Sequence, residues 1–212
     1  MLITYPLKTG LYVNLTNRCP CACEFCLRKN ASGVFGTDSL WLEREPTVEE
    51  VVSSIDAHDM SAYDEVVFCG YGEPTERLDD LLAVARHVRA KYPKCRIRVN
   101  TNGLSDLIHG VRTAPRLEGL VDTVSVSLNT PDAAEYERIC HPKFGPGSWQ
   151  AMVDFAKDCR AFVPDVVMTV VDAPVTGPEK QAACRRLTAS IGVRLRVRPY
   201  ETMGDGVAPA GR

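Results

Sequence analysis

Four cysteines crowd into eight consecutive positions near the start of the chain, in the string Asn17-Arg18-Cys19-Pro20-Cys21-Ala22-Cys23-Glu24-Phe25-Cys26. No other feature restricts the fold as strongly. The chain holds nine cysteines in all, an odd number, and its first residues lack a basic stretch followed by a long apolar one. Both facts argue against an exported domain framed by disulfides. Clustered thiols in a reducing compartment more often hold a metal or a metal cluster, so a cytoplasmic location is expected. No apolar stretch reaches the roughly 20 residues needed to span a bilayer, and a formal charge of −2 supplies no global field for nucleic acid or an acidic membrane.

Apolar runs of strand length alternate with amphipathic runs of helix length. Strands are expected at Leu11–Leu15, Glu65–Cys69, Arg96–Thr101, Val121–Leu128, Pro164–Val171 and Val193–Arg198. Helices are expected from Thr47 to about His58, over Leu78–Tyr92 with Pro93 as its stop, over Leu104–Val111, from Pro131, over Trp149–Ala161 and over Pro178–Ser190. Thr47 and Glu50 have the spacing of a capping box, and Pro131 suits a first helical position. Gly33 and Gly36 break the loop after the cysteines, which Trp41 and Leu42 are expected to dock onto the body.

Strands alternating with helices imply an α/β fold, a parallel sheet covered by helices. A closed eight-unit barrel takes about 250 residues. The 212 residues here suit an open, partial (β/α)6 barrel, forming one domain over residues 1–212 with a core at about 11–198 and a flexible tail at 199–212.

Cys19, Cys23 and Cys26 follow the spacing C-x3-C-x2-C. Their loop directly follows the first expected strand, at the strand end where α/β folds place ligands. Thiolates are the usual iron–sulfur ligands. Three of them on a four-iron cubane leave one iron open to a substrate or cofactor, as in other reactive metal sites. The competing reading is a zinc site with Cys21 as fourth ligand, although zinc modules commonly use two separated ligand pairs.

With Phe25 just before the last cysteine, the loop resembles the signature of the radical S-adenosylmethionine (SAM) superfamily. The resemblance implies a [4Fe–4S] cluster on Cys19, Cys23 and Cys26, with Cys21 outside the pattern and expected to point away. It implies SAM chelated at the open iron and cleaved reductively to methionine and a 5′-deoxyadenosyl radical that abstracts hydrogen from a substrate. It further implies an external electron donor such as flavodoxin or ferredoxin.

Later turns extend the resemblance. Cys69-Gly70-Tyr71-Gly72-Glu73-Pro74-Thr75 looks like the family's G-x-G-E-P turn, which implies that its backbone and Glu73 engage the SAM ammonium. Asn100-Thr101-Asn102-Gly103 looks like the family's T-N-G segment, with Thr101 and Asn102 as cofactor or substrate contacts. At the end of the fourth strand, alternation puts Ser125, Ser127 and Asn129 on one face, and the resemblance assigns Ser127 and Asn129 to the SAM ribose or carboxylate. Val166–Val171 resembles the strand that packs on adenine. Cys69 ends a strand near the site. Arg194, Arg196 and Arg198 alternate on the last strand, as either an anion clamp or a solvated edge. Structural placement is expected for Tyr136 and His141.

The strings NLTNRCP and LWLEREPTVEE resemble a subfamily of TatD-associated radical SAM proteins, which implies a functional link to a TatD-type hydrolase. One enzyme reading is an oxidoreductase or lyase modifying a small molecule or nucleotide, similar in size to 7-carboxy-7-deazaguanine synthase. The second is an activase that makes a glycyl radical on a partner enzyme. A non-enzymatic zinc or iron–sulfur module is the reading from another class.

Overall fold

The computed structural model describes residues 1–29 and 39–200. Gly33, Gly36 and residues 201–212 of the tail lie outside them. Seven strands form one sheet in sequence order: β1 (Thr4–Leu7), β2 (Gly10–Val13), β3 (Glu65–Phe68), β4 (Arg96–Thr101), β5 (Thr123–Ser127), β6 (Asp165–Val171) and β7 (Arg194–Arg198). The helices between them are α1 (Val48–Asp56), α2 (Leu78–Lys91), α3 (Ser105–His109), α4 (Ala133–Cys140), α5 (Ser148–Cys159) and α6 (Pro178–Ser190). From β2 to β7 every neighbouring pair is parallel, giving the six expected strands in an open sheet whose edges are β1 and β7.

β1 is an addition to the expected set. It pairs antiparallel with β2, and the chain reverses through Lys8 at φ 56°. The segment is only four residues long and contains Pro6, which lacks the N–H of a central strand and is tolerated on an edge. Pairing with β2, and not its own pattern, makes it a strand.

Helix starts follow local chemistry. Thr47 Oγ1 accepts from the Glu50 N–H at 3.2 Å while Glu50 Oε2 accepts from the Thr47 N–H at 2.8 Å, which completes the capping box of α1. At α4 the expectation fails by two positions, since the helix begins at Ala133. Asp132, not Pro131, prepares the first turn, accepting from the Glu135 N–H at 2.7 Å, so Pro131 precedes the cap. A side-chain acceptor for an otherwise unpaired N–H outweighs the preset φ of proline. α3 stops short of Val111 because Gly110 turns left-handed, at φ 66°.

The two faces of the sheet differ in character. Leu11, Val13, Val66, Phe68, Ile97, Val99, Val124, Val126, Met168 and Val170 are buried against the helices in one core with Ile55, Leu81, Val88 and Phe155. The alternate residues point the other way, and many are polar: Tyr12, Arg98, Asn100, Ser125, Ser127, Thr169 and Arg196. Leu42 docks its loop by burial, and Trp41 packs edge-on against Tyr71 with centroids 5.3 Å apart.

Candidate functional site

The cysteine loop leaves the C-terminal end of β2 and is strapped down from two sides. On one side the Glu73 N–H donates to the Arg18 carbonyl at 2.8 Å. Gly72 lies so close beneath that a Cβ there would stand 2.2 Å from the Thr16 oxygen and 2.6 Å from that of Arg18. Only glycine permits this approach. On the other side the loop meets the C-terminus of α4, whose last carbonyls have no partner within the helix. The N–H groups of Ala22 and Glu24 donate to the carbonyls of Cys140 and Ile139 at 3.0 and 2.9 Å, and the Lys143 N–H donates to Pro20 at 2.8 Å. Arg28 Nη2 and Lys29 Nζ hold the carbonyls of Cys21 and Ala22 at 3.1 and 2.8 Å.

Within this frame Cys19, Cys23 and Cys26 are half-buried, whereas Cys21 is 5% exposed. Cys21 does not point away. Its thiol lies between those of Cys19 and Cys23, hydrogen-bonded to both, and the buried Tyr136 hydroxyl bonds to it from the core. Cys140, at the end of α4, bonds to Cys23. The Cys140 thiol, with that of Cys21 beside it, holds Cys23 well below the ordinary thiol range, toward the thiolate that binds metal. The neighbouring Cys21 thiol lowers Cys19, while burial pushes Cys26 up. Cys26 stands outside this chain of thiols, and among the described residues no three Cys, His, Asp or Glu side chains are gathered at metal-ligand distance. The donor chemistry nevertheless fits an iron–sulfur or zinc centre: three accessible soft ligands on one loop at the ligand-bearing edge of the sheet.

The turns after β3 and β4 are locked together by Glu73, which is buried at 3% exposure. Its Oε1 accepts from the Thr75 N–H at 3.0 Å and from the Thr75 and Thr101 hydroxyls, each at 2.7 Å. Its Oε2 accepts from the Asn102 N–H at 2.7 Å. Burial pushes the carboxyl up against the pull of these four donors. The Asn102 amide in turn lies 3.9 Å from the sulfurs of both Cys19 and Cys21. Gly70 packs on Asn14, whose Oδ1 would be 2.0 Å from a Cβ there.

The remaining expected residues spread around this centre. Asn129, left-handed at φ 64°, is buried and sends Nδ2 to Cys140 Sγ at 3.4 Å; its Oδ1 has no hydrogen-bond partner among the described residues. Ser127 is half-buried at the end of β5, and Phe25 packs half-buried on the core. Ser125 accepts from Arg196 Nη2 at 3.3 Å. Cys69 is half-buried, and its carbonyl accepts from the Tyr5 hydroxyl at 3.1 Å. Tyr136 is core, and His141 caps α4 at φ 45° with Glu24 3.6 Å away. Three residues escape sequence reasoning. Cys140 gives no signal, because its contact with Cys23 is purely tertiary. Asn14 is detectable only as a polar residue at a strand end. Arg98 is detectable as the alternate neighbour of Asn100.

The model of the Radical SAM superfamily matches residues 13–185. A protein from Corynebacterium diphtheriae named "Probable dual-specificity RNA methyltransferase RlmN" is 28% identical over 144 residues, covering 62% of this chain and 36% of that protein. The GTP 3′,8-cyclase of Mycobacterium sp. (strain KMS) is 29% identical over 194 residues, covering 90% of this chain and 51% of that protein. The chain thus spans about a third to a half of the length of these curated relatives. A crystal structure of a radical SAM methyltransferase from Sphaerobacter thermophilus shares the fold, with a TM-score of 0.61 at 17% identity over 92% of this chain and 68% of that one.

Proposed function

This chain belongs to the radical SAM superfamily, and on that premise we propose that it is a radical SAM enzyme acting on a small molecule or nucleotide. Cys19, Cys23 and Cys26 are the ligands of a [4Fe–4S] cluster. The observation that carries this assignment is accessibility: of the four loop cysteines these three are half-buried, while Cys21 is enclosed. When bound, the cluster and SAM supply one-electron reduction of SAM and hydrogen abstraction from the substrate. An external donor such as flavodoxin or ferredoxin delivers the electron.

The protein's own part is to hold and orient. Gly70 and Gly72 let their turn pack closely on Asn14 and the cysteine loop, and the carbonyls of that turn would receive the methionine end of SAM. Glu73 fixes that turn to Thr101 and Asn102, so it is chiefly a positioning residue. Asn102, whose amide lies 3.9 Å from Cys19 Sγ, would contact the cofactor from the same side as the loop. Ser127 and Asn129 would hold the ribose or carboxylate of SAM, and Asn129 Oδ1, buried with no hydrogen-bond partner among the described residues, is the acceptor that supports this role. Phe25 shields the loop. The chain acts as one domain.

Two relatives are named for reactions on RNA and on GTP, which favours a nucleotide over other small molecules. The strings NLTNRCP and LWLEREPTVEE extend the proposal to a TatD-associated enzyme with a functional link to a TatD-type hydrolase. Among the described residues no helix is long and apolar enough to cross a membrane. Anaerobic purification tests the centre. A brown protein whose broad visible absorbance bleaches on reduction supports it, and a colourless, zinc-only preparation contradicts it.

A further inference from the structure

The polar face of the sheet carries a concentration of positive charge that the proposed cluster site does not use. Arg98, Arg194, Arg196 and Arg198 all project from it at alternate positions of β4 and β7. Two of the four are neutralised. Arg98 Nη2 meets Glu65 Oε1 at 2.6 Å and the Tyr12 hydroxyl at 3.3 Å, and Arg194 Nη2 meets Asp165 Oδ2 at 2.7 Å. Among the described residues the other two are not. Arg196 donates only to the neutral Ser125 Oγ, at 3.3 Å, and among the described residues no carboxylate pairs with Arg196 or Arg198. Both side chains are exposed on this edge strand, and desolvation lowers the proton affinity of Arg196, with Arg98 and Arg198 adding to it.

Register sets the height of this pair. Arg196 stands level with Thr169, which is level with Ser127, and Arg198 with Val171 at the end of β6. The C-terminal strand ends are the edge that bears the cysteine loop, and Arg198 is the last residue of β7, with Arg196 two positions before it on the same face. Ser125, Ser127 and Thr169 lie on the same face of the neighbouring strands, and Ser125 Oγ accepts from Arg196.

We propose that Arg196 and Arg198 form the subsite for a phosphoryl group of the substrate. Two guanidiniums with no carboxylate partner among the described residues match the charge of a phosphate monoester, about −1.5 to −2 near neutral pH, and the planar fork of arginine fits its oxygens better than a point charge would. A single carboxylate leaves one positive charge unmatched. The inference rests on the reading of the site as an enzyme centre for a nucleotide and makes that reading specific.

Calorimetric titration of the reconstituted protein with inorganic phosphate, at fixed ionic strength, is the test. The expected result is saturable binding that weakens about tenfold or more in Arg196→Gln or Arg198→Gln, as loss of a charge-assisted bond requires, and that survives in Arg194→Gln. Acetate is expected to bind more weakly than phosphate. No saturable binding, equal loss in Arg194→Gln, or equal affinity for acetate overturns the proposal. So does an equal loss of SAM affinity in Arg196→Gln, because the pair then serves the SAM carboxylate. Iron content of the same preparation separates the two claims. Phosphate binding without an iron–sulfur centre contradicts the functional reading and keeps this one, and a cluster without phosphate binding does the reverse.

Discussion

The backbone N–H of Asn102 donates to Glu73 Oε2 at 2.7 Å, and this bond ties the turn after β4 to the turn after β3. Both turns then reach the cysteine loop, one through the Asn102 amide beside Cys19 and the other through the Glu73 N–H on Arg18. One buried carboxylate thereby sets the relative position of three segments that converge on the site.

Glu73→Ala strands the Thr75 and Asn102 N–H groups in a buried setting. At roughly 1–3 kcal/mol for each unsatisfied group, the expected loss of stability is about 3 kcal/mol, accompanied by weaker SAM binding. Chemical denaturation and SAM titration of one preparation check both. Weaker SAM binding at unchanged stability would make Glu73 a direct ligand and not a positioning residue.

The same carboxylate predicts a pH dependence. Burial raises its folded-state pKa, so ionising it opposes folding. Its contribution is fully present below the unfolded carboxylate value, about 4.3, and is lost as pH rises through the folded value. Glu73→Gln lacks this titration, so wild-type stability should fall relative to Glu73→Gln as pH rises through that window. A constant difference across the window contradicts the assignment.

Gly72→Ala places a methyl against two backbone carbonyls that cannot rotate away. Overpacking of about 1–3 kcal/mol is expected, with loss of iron as the loop lifts. Gly70→Ala meets the Asn14 side chain instead, so the double variant with Asn14→Ala should recover iron loading relative to Gly70→Ala alone. Iron per chain and the thermal midpoint measure both effects.

Cys140 touches Cys23 from the end of α4. Bonds to cluster sulfurs tune such centres without ligating them. Cys140→Ala should therefore accept a full cluster and lose it faster to a chelator. Failure to load any iron would instead make Cys140 a ligand.

Much of this was readable in the sequence, for identifiable reasons. The six parallel strands and the Thr47–Glu50 capping box rest on local pattern, and local pattern survives folding. β1 was not readable because Pro6 and its short length hide a strand that exists only by pairing. Pro131 misled because Asp132 beside it is the stronger cap. Spacing does not place Cys21: it sets the residue apart from its neighbours, but the Tyr136 hydroxyl and the α4 strap draw it into the interior. The link from Glu73 to Asn102, like that from Cys140 to Cys23, joins segments distant in the chain and leaves no trace in either one.

The central claim is that Cys19, Cys23 and Cys26, without Cys21, support reductive cleavage of SAM. It is tested most directly by measuring 5′-deoxyadenosine formed from SAM under anaerobic reduction by the wild-type chain and by each Cys→Ala variant of the loop. The account predicts product from the wild type and from Cys21→Ala, and none from Cys19→Ala, Cys23→Ala or Cys26→Ala. Product from any of those three, or its loss in Cys21→Ala while Cys19→Ala retains it, would contradict the ligand set.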